Sequence, residues 1–540
     1  MRGRRFEREA RVTRLAALLL AWAPVVAGAQ AASGSAAPAG QVQVLRWVVT
    51  GNTLLPDAQL QAVLAPFTGS RSLADLQRAA RAVQDLYAAA GYGGVVAYVP
   101  EQAVDQGVVT VAVVEGKLGA VQVQGQRHFG EDDIRASLPA LRQGSTVNLK
   151  RLDAEIELAN ENPAKQLRVL LMPGTHPGES AARVSVIEQP VQRWSLSADN
   201  TGNAATGRAR ANLAWQDADL TGRDDVLAAQ LTTAPSRPGA VKVISAGYHL
   251  PLYADLAALD VYAGLSDIDS GSASSAAGDI GFSGKGRAAG MRLTRHLLRM
   301  GDTSARVSVG LDYRAYLNQC AIAGLPEGAC GPAGESVAVQ PMTVEYAAQA
   351  AGRFSWSAAV SLSANLELGA GMNDAAHFAA VRFGATPGFV VLHANGSAET
   401  AVADGWRVRA RAAAQASGDA LVPGEQFGIG GAGSVRGYEE RELAGDRGTV
   451  ASLELLAPEA AWAGGRLVGL AFADAGWVGN NHGLPCLDGR SNCHLYGAGF
   501  GARWSQGGLQ GALYLAESLS HGATTLQHRP RVHVSVAYGF

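Results

Sequence analysis

Gln426-Phe427-Gly428-Ile429-Gly430-Gly431-Ala432-Gly433-Ser434-Val435-Arg436-Gly437-Tyr438 holds five glycines and a single charge, Arg436. Glycine accepts backbone angles and close approaches that a side chain forbids, so this arm can fold into a narrow space. Downstream, Phe472-Ala473-Asp474-Ala475-Gly476 sets a carboxylate in an apolar strand. A lone carboxylate there is costly unless a cation meets it. The two stretches together predict a loop folded back inside a hollow β structure and pinned by charge. Such an arrangement suits a conduit better than a catalytic centre.

The surrounding sequence fits that reading. From Arg193 onward, runs of about ten residues alternate apolar with polar or small positions, the pattern of a transmembrane β-barrel. In Trp406 to Gln415 one face carries Trp406, Val408 and Ala410, the other Arg407, Arg409 and Arg411. One arginine facing lipid at mid-bilayer costs about 2–4 kcal/mol, so these three are expected to line the lumen. The last run puts Val532, Val534, Val536, Tyr538 and Phe540 on one face, with Arg531, His533, Ser535 and Gly539 on the other. About sixteen antiparallel strands fit residues 191–540. With the first strand near Arg193, the Arg436 loop and both cysteine loops join odd strands to even ones. All three then lie on the side opposite the front half.

The front half reads as a repeat, residues 42–116 and 117–190. Gly51-Asn52 corresponds to Gly125-Gln126, and Glu115-Gly116 to Glu188-Gln189. Each copy runs strand, helix, helix, strand, strand. Leu73, Leu76, Ala80, Val83 and Tyr87 form one apolar helix stripe, opened by Ser72 and Asp75 and stopped at Gly91. Leu149, Leu152, Ile156 and Ala159 repeat the spacing after Asn148, with Pro163 beyond. The class is therefore α+β units followed by an all-β barrel.

Residues 1–29 have the form of a secretory signal peptide: an arginine-rich start, an apolar core from Leu15 to Val26, and Ala27-Gly28-Ala29. An oxidising compartment follows, and the four cysteines form two local pairs, Cys320/Cys330 and Cys486/Cys493, read as disulfides. A net charge of −2 gives no reason to expect a nucleic-acid partner. Gly428-x-Gly430-x-x-Gly433 matches a dinucleotide fingerprint but lacks its βαβ setting. Asp267-Ile268-Asp269-Ser270-Gly271 lacks the terminal glutamate of a calcium loop. No metal, cofactor or catalytic constellation is expected, and the chain does not read as an enzyme.

Gly51-Asn52, Tyr87-x3-Gly91-Tyr92 and Val113-Val114-Glu115-Gly116 resemble the periplasmic POTRA domain, here in tandem. Val435-Arg436-Gly437-Tyr438 with Phe472-x-Asp474-x-Gly476 resembles the TpsB transporters of two-partner secretion, the haemolysin/haemagglutinin secretion-activation family, related to BamA. The resemblance covers essentially the whole chain. It implies an outer-membrane transporter that moves a large exoprotein client from the periplasm to the cell surface. POTRA sheet edges would bind the client by strand addition. The sixth outer loop would enter the barrel, Arg436 pairing with Asp474 while Gly437 and Tyr438 shape the tip. The aromatic C-terminus, Tyr538 and Phe540, resembles the signal read by the barrel-assembly machinery, and lipid would surround the barrel. Gln30 to Gln41 is a linker too short for the plug helix of many relatives, which leaves plugging to the loop. A BamA-type assembly factor is the alternative; two POTRA units rather than a longer array speak against it.

Overall fold

The computed structural model describes residues 40–540 apart from 177, 205, 240, 268–270, 276–277, 283–284, 318–330 and 370. Residues 1–29, expected to be a secretory signal, nearly all of 30–41, expected to be a linker, and Cys320 with Cys330 lie outside the described residues.

In the first unit, Arg46–Thr50 pairs in parallel with Val108–Glu115, which pairs antiparallel with Val95–Tyr98. Helices Asp57–Leu64 and Leu73–Ala89 cover that sheet. Ser72 Oγ accepts the Asp75 N–H at 3.3 Å and the Asp75 carboxylate accepts the Ser72 N–H at 2.9 Å, so both ends of the capping box are made. Leu76, Ala79, Ala80, Val83 and Tyr87 are buried, whereas Leu73 is 62% exposed. At 100° per residue Leu73 lies about 60° off the centre of that stripe, in the unpacked first turn.

The second unit repeats the plan, with Lys117–Gln124, Glu179–Glu188 and Lys165–Pro173 as its sheet and Glu131–Ala136 and Leu149–Ala159 as its helices. The residues that match between the copies touch one another. Glu115 accepts the N–H groups of Thr53 (2.8 Å) and Leu54 (3.1 Å), and Glu188 those of Arg127 (2.9 Å) and His128 (2.9 Å). Gly51 and Gly125 have φ of 78° and 93°, and a Cβ there would stand 2.2 and 2.4 Å from the carbonyl oxygens of Val113 and Val186. In each unit, then, a glycine lets the turn after the first strand lie against the last strand, and a glutamate closes that turn's open N–H groups. The repeat signature is a fold-keeping device.

Glu115 gives a pH prediction. Burial raises its pKa, but the hydrogen bonds from Thr53, Tyr87 and Leu54 outweigh burial and leave it below the ordinary glutamate value. A depressed carboxylate stabilises the fold above its unfolded pKa, and the benefit disappears as pH falls through the folded value. Hydrogen exchange of helix Leu73–Ala89 between about pH 6 and pH 3 should show acid loss of protection. The loss should be shallower in Glu115→Gln; equal pH profiles would remove Glu115 from that role.

The two units are stacked end to end. Asn148 starts its own helix by accepting the Arg151 N–H at 3.1 Å and donates to Ala90 O at 3.0 Å. The Leu149 N–H reaches Gly91 O at 2.8 Å and Lys150 Nζ reaches Ala89 O at 2.6 Å. The carbonyl end of one helix is thus closed by the amino end of the next.

Residues 192–539 form one closed antiparallel barrel of eighteen hydrogen-bonded segments. Val337–Val339 and Pro341–Ala350 share a neighbour, as do Arg447–Leu456 and Ala460–Trp462, so the segments make sixteen strands. The first, Gln192–Asp199, meets the last, Pro530–Gly539, over five residue pairs, and Trp194 and Phe540 exchange N–H to carbonyl bonds at 2.9 Å. Val532, Val534, Val536 and Tyr538 face outward while His533 is 4% exposed. Trp194 beside Trp215, Trp462 beside Trp504, and Tyr538 beside Phe540 ring the end nearest the repeats, the aromatic girdle of a membrane barrel. Among the described residues no helix is long and apolar enough to cross a membrane.

The second unit is fastened to one side of the barrel. Lys165, with no exposed side-chain surface, pairs with Asp224 in the turn after the second strand, Arg210–Asp217. The Phe129 and Tyr253 rings lie 5.0 and 5.8 Å from its ammonium. Burial lowers the Lys165 pKa, and Asp224 works against that shift. Asn162 donates to Ala218 O at 2.6 Å and Asp224 O at 3.1 Å, and His128 meets Asp219 at 3.0 Å. Ala218 and Val226 join the unit's own apolar core.

Candidate functional site

The eleventh strand, Trp406–Ser417, and the twelfth, Arg447–Leu456, are joined by the long loop that contains Arg436. Only one short pair, Phe427–Ile429 with Leu443–Gly445, gives that loop a sheet. The thirteenth and fourteenth strands, Gly465–Gly479 and Asn492–Gln506, supply the wall it meets.

Arg436 is 1% exposed. Its Nε donates to Asp474 Oδ2 and its Nη2 to Asp474 Oδ1, both at 2.7 Å, a planar fork matched to a carboxylate. Its own backbone N–H reaches Asp474 Oδ2 at 3.0 Å. Nη1 donates to Glu454 Oε1 at 2.8 Å and Nη2 to Ser452 Oγ at 3.0 Å. The Phe472 ring lies 3.5 Å beneath the guanidinium carbon, a contact of cation and aromatic face. The carboxylates of Asp474 and Glu454 have no exposed side-chain surface.

Register explains why these groups converge. Ser452 pairs with Asp474 and Glu454 with Phe472 across neighbouring strands, and residues two apart share a face. Opposite Asp474 on the next strand stands Gly497, where a Cβ would come 2.1 Å from Arg436 O. A Cβ at Gly476 would come 2.8 Å from Val435 Cγ2. The missing side chains leave the gap that the loop tip occupies. The Gly437 N–H donates to His533 Nε2 at 3.1 Å. The Tyr438 hydroxyl lies 2.9 Å from the carbonyl oxygens of Tyr496 and Ser520 and accepts the Ser520 N–H at 3.0 Å.

Arg407, Arg409 and Arg411 face the lumen as a ladder beside this site. Arg407 and Arg409 meet Glu399 at 2.8 and 2.7 Å, and Arg411 meets Glu454 at 3.2 Å. Cys486 and Cys493 are bonded in the loop between the thirteenth and fourteenth strands, at a Cα separation of 6.3 Å. The Arg436 loop and the loop closed by that disulfide leave odd strands and return in even ones, so they share the rim away from the repeats.

Several partners of the site lie outside the motifs legible in the sequence. Glu454 collects Arg436, Arg411 and Arg503, the last at 2.9 Å through both carboxylate oxygens. The only local signal is that Ser452 and Glu454 alternate with Leu453 and Leu455, which assigns them to the lumen face. At the outer rim Asp446, fully buried, pairs with Arg382 and accepts the N–H groups of Leu421 at 2.9 Å and Asn481 at 2.8 Å. Three outer loops meet on that one carboxylate. Among the described residues no cluster of His, Cys, Asp and Glu could hold a metal ion. The glycine run 428–433 turns back on itself without a helix, so it has no phosphate-binding terminus.

Residues 178–504 match the family described as haemolysin secretion/activation protein ShlB/FhaC/HecB, and residues 42–116 match the ShlB-type POTRA domain. The outer membrane transporter CdiB of Escherichia coli O6:K15:H31 (strain 536 / UPEC) is 26% identical over 170 residues, 31% of this chain. The matched stretch spans 29% of that relative's length. A solved CdiB from Escherichia coli superposes with a TM-score of 0.76 at 21% identity, covering 95% of this chain and 93% of that one. BamA from Haemophilus ducreyi lacking POTRA domains 1–3 reaches 0.50 at 13% identity, covering 93% of this chain and all of that one. Since the family match runs through more than half of its residues, the chain belongs to the haemolysin secretion/activation family of ShlB, FhaC and HecB.

Proposed function

We propose that this protein, an outer-membrane barrel with its POTRA units in the periplasm, exports one large exoprotein from the periplasm to the cell surface. The observation that carries the reading is the buried Arg436–Asp474–Glu454 cluster, which holds a loop across the conduit of a closed barrel. A passive pore has no use for POTRA units stacked below its mouth. POTRA sheet edges would receive the client as an added strand, a mode tolerant of sequence. We assign residues 42–116 and 117–190 to the two POTRA units and 191–540 to the barrel. Arg436, Gly437, Tyr438, Phe472, Asp474 and Gly476 act as the loop-to-wall lock, and Arg407, Arg409 and Arg411 line the path. Lipid contacts the outward apolar face, and Tyr538 and Phe540 address the barrel-assembly machinery during biogenesis. The role is transport, without catalysis.

Culture supernatants and outer membranes of a deletion strain and its parent decide between export and barrel assembly. One large protein should vanish from the supernatant while other outer-membrane barrels keep their abundance. Broad depletion of outer-membrane proteins would instead establish a BamA-type assembly factor.

A further inference from the structure

The second POTRA unit holds the barrel unequally on its two sides. On the side of the second to sixth strands it is fastened by the buried Lys165–Asp224 pair, by Asn162, by Glu161 meeting His296 at 3.3 Å, and by Arg151 Nη2 donating to Ala254 O at 2.9 Å. Across the mouth, its helix Leu149–Ala159 faces the turn that links Pro341–Ala350 to Phe354–Asn365. The hydrogen bond described there is a single one, Gln349 Nε2 to Glu157 Oε1 at 3.3 Å, long and exposed.

Behind that contact lies a cavity of 730 Å³. Asp153, Ile156 and Glu157 of the helix form one wall, and Arg299, Gln349 and Trp356 stand opposite. Its inner end reaches Glu399, Arg409 and Arg411, the ladder that leads to the Arg436 cluster. Asp153 and Gln349 at the outer end are exposed, and Arg411 at the inner end is 43% exposed on its side chain. The cavity therefore meets water at both ends. Its charged residues are mixed in sign, and serines and alanines fill the spaces between them.

We infer that this cavity is the portal through which the client enters the barrel as an unfolded, extended chain, and that the Glu157–Gln349 contact is its latch. The inference rests on the export reading above and assigns it a place and a gate. A wall of mixed charge repels neither sign, and its apolar residues are three alanines with one isoleucine and one tryptophan, scattered among charges rather than gathered for one segment. That suits a chain of changing sequence better than a fixed ligand, which needs convergent polar groups in an enclosed site. One long, exposed hydrogen bond is readily exchanged for water, whereas parting the other side would strand the buried Lys165 charge. The second unit accordingly tilts about its fastened side and opens on the other.

The test is made in the full-length protein in outer membranes. Glu157 and Gln349 are each replaced by azidohomoalanine and bridged by a cleavable bis-cyclooctyne linker, which spares thiols, and His128 and Asp219 are replaced and bridged in the same way as the control on the fastened side. Access is read in both backgrounds with Ser397→Cys, which lines the cavity. The reagent is a polyethylene-glycol maleimide too bulky for the closed cavity, added from the periplasmic side, with the parent lacking Ser397→Cys as background. Bridging the latch should slow labelling of Ser397→Cys by about tenfold or more and stop exoprotein release until the linker is cleaved. The control bridge should leave both unchanged. Labelling unaffected by the latch bridge, or slowed equally by the control bridge, overturns the portal. Continued exoprotein release at complete latch bridging overturns it too. Slowed labelling in a protein whose deletion removes nothing from the supernatant would keep the portal as an aqueous mouth and defeat the export reading.

Discussion

Arg436→Ala should abolish exoprotein release while the barrel still reaches the outer membrane, because the substitution leaves the buried Asp474 carboxylate without its cation. Asp474 would lose its fork and Glu454 one of its cations, both with no exposed side-chain surface. Removing one member of a buried ion pair costs about 3–5 kcal/mol, a shift of about 100- to 5,000-fold in the docking equilibrium toward the released loop. Glu454 keeps Arg503 and Arg411, so most of the penalty falls on Asp474. This gives an ordering. Arg436→Ala is expected to be the severest single change and Asp474→Asn nearly as severe. Glu454→Gln should be milder for loop docking. Protease access to the 426–438 stretch, read beside secretion at matched barrel abundance, checks it. Release at the parent's level from Arg436→Ala would reduce the pair to a scaffold; a docked loop in that variant would remove it from gating.

Lys165→Ala should loosen the second α+β unit from the barrel. Lys165 and Asp224 are both buried, with Tyr253 donating to Asp224 at 2.8 Å and Phe129 packed over the ammonium. The single change leaves the Asp224 charge with the Tyr253 hydroxyl but no cation, a loss of about 3–5 kcal/mol at that interface. Neutralising both partners, Lys165→Met with Asp224→Asn, should recover much of it, since the neutral pair avoids the desolvation cost and asparagine tolerates the φ of 62° at position 224. Limited proteolysis between residues 189 and 192, with secretion as the second readout, separates the outcomes. A double variant as fragile as the single one would mean that geometry rather than charge balance holds the joint.

What the sequence determined by itself is local and periodic. Strands that alternate apolar and polar residues specify a barrel, because a period of two decides which side chains meet lipid. The 3.6-residue stripe through Leu76, Ala80, Val83 and Tyr87 specifies a helix on a sheet, and the recurrence of Gly51 and Glu115 as Gly125 and Glu188 specifies a duplicated unit. Arg436 and Asp474 stood out because each is a charge that its neighbours cannot solvate. The tertiary structure alone decided the other partners. Glu454 lies 18 residues from Arg436 and 49 from Arg503, Asp224 lies 59 from Lys165, and Gln349 lies 192 from Glu157. No local pattern links such positions. Strand register and barrel closure bring them together, and register depends on every pairing between them. The same closure decided that Gly497 would face the loop tip, a vacancy visible only once the opposite wall is in place.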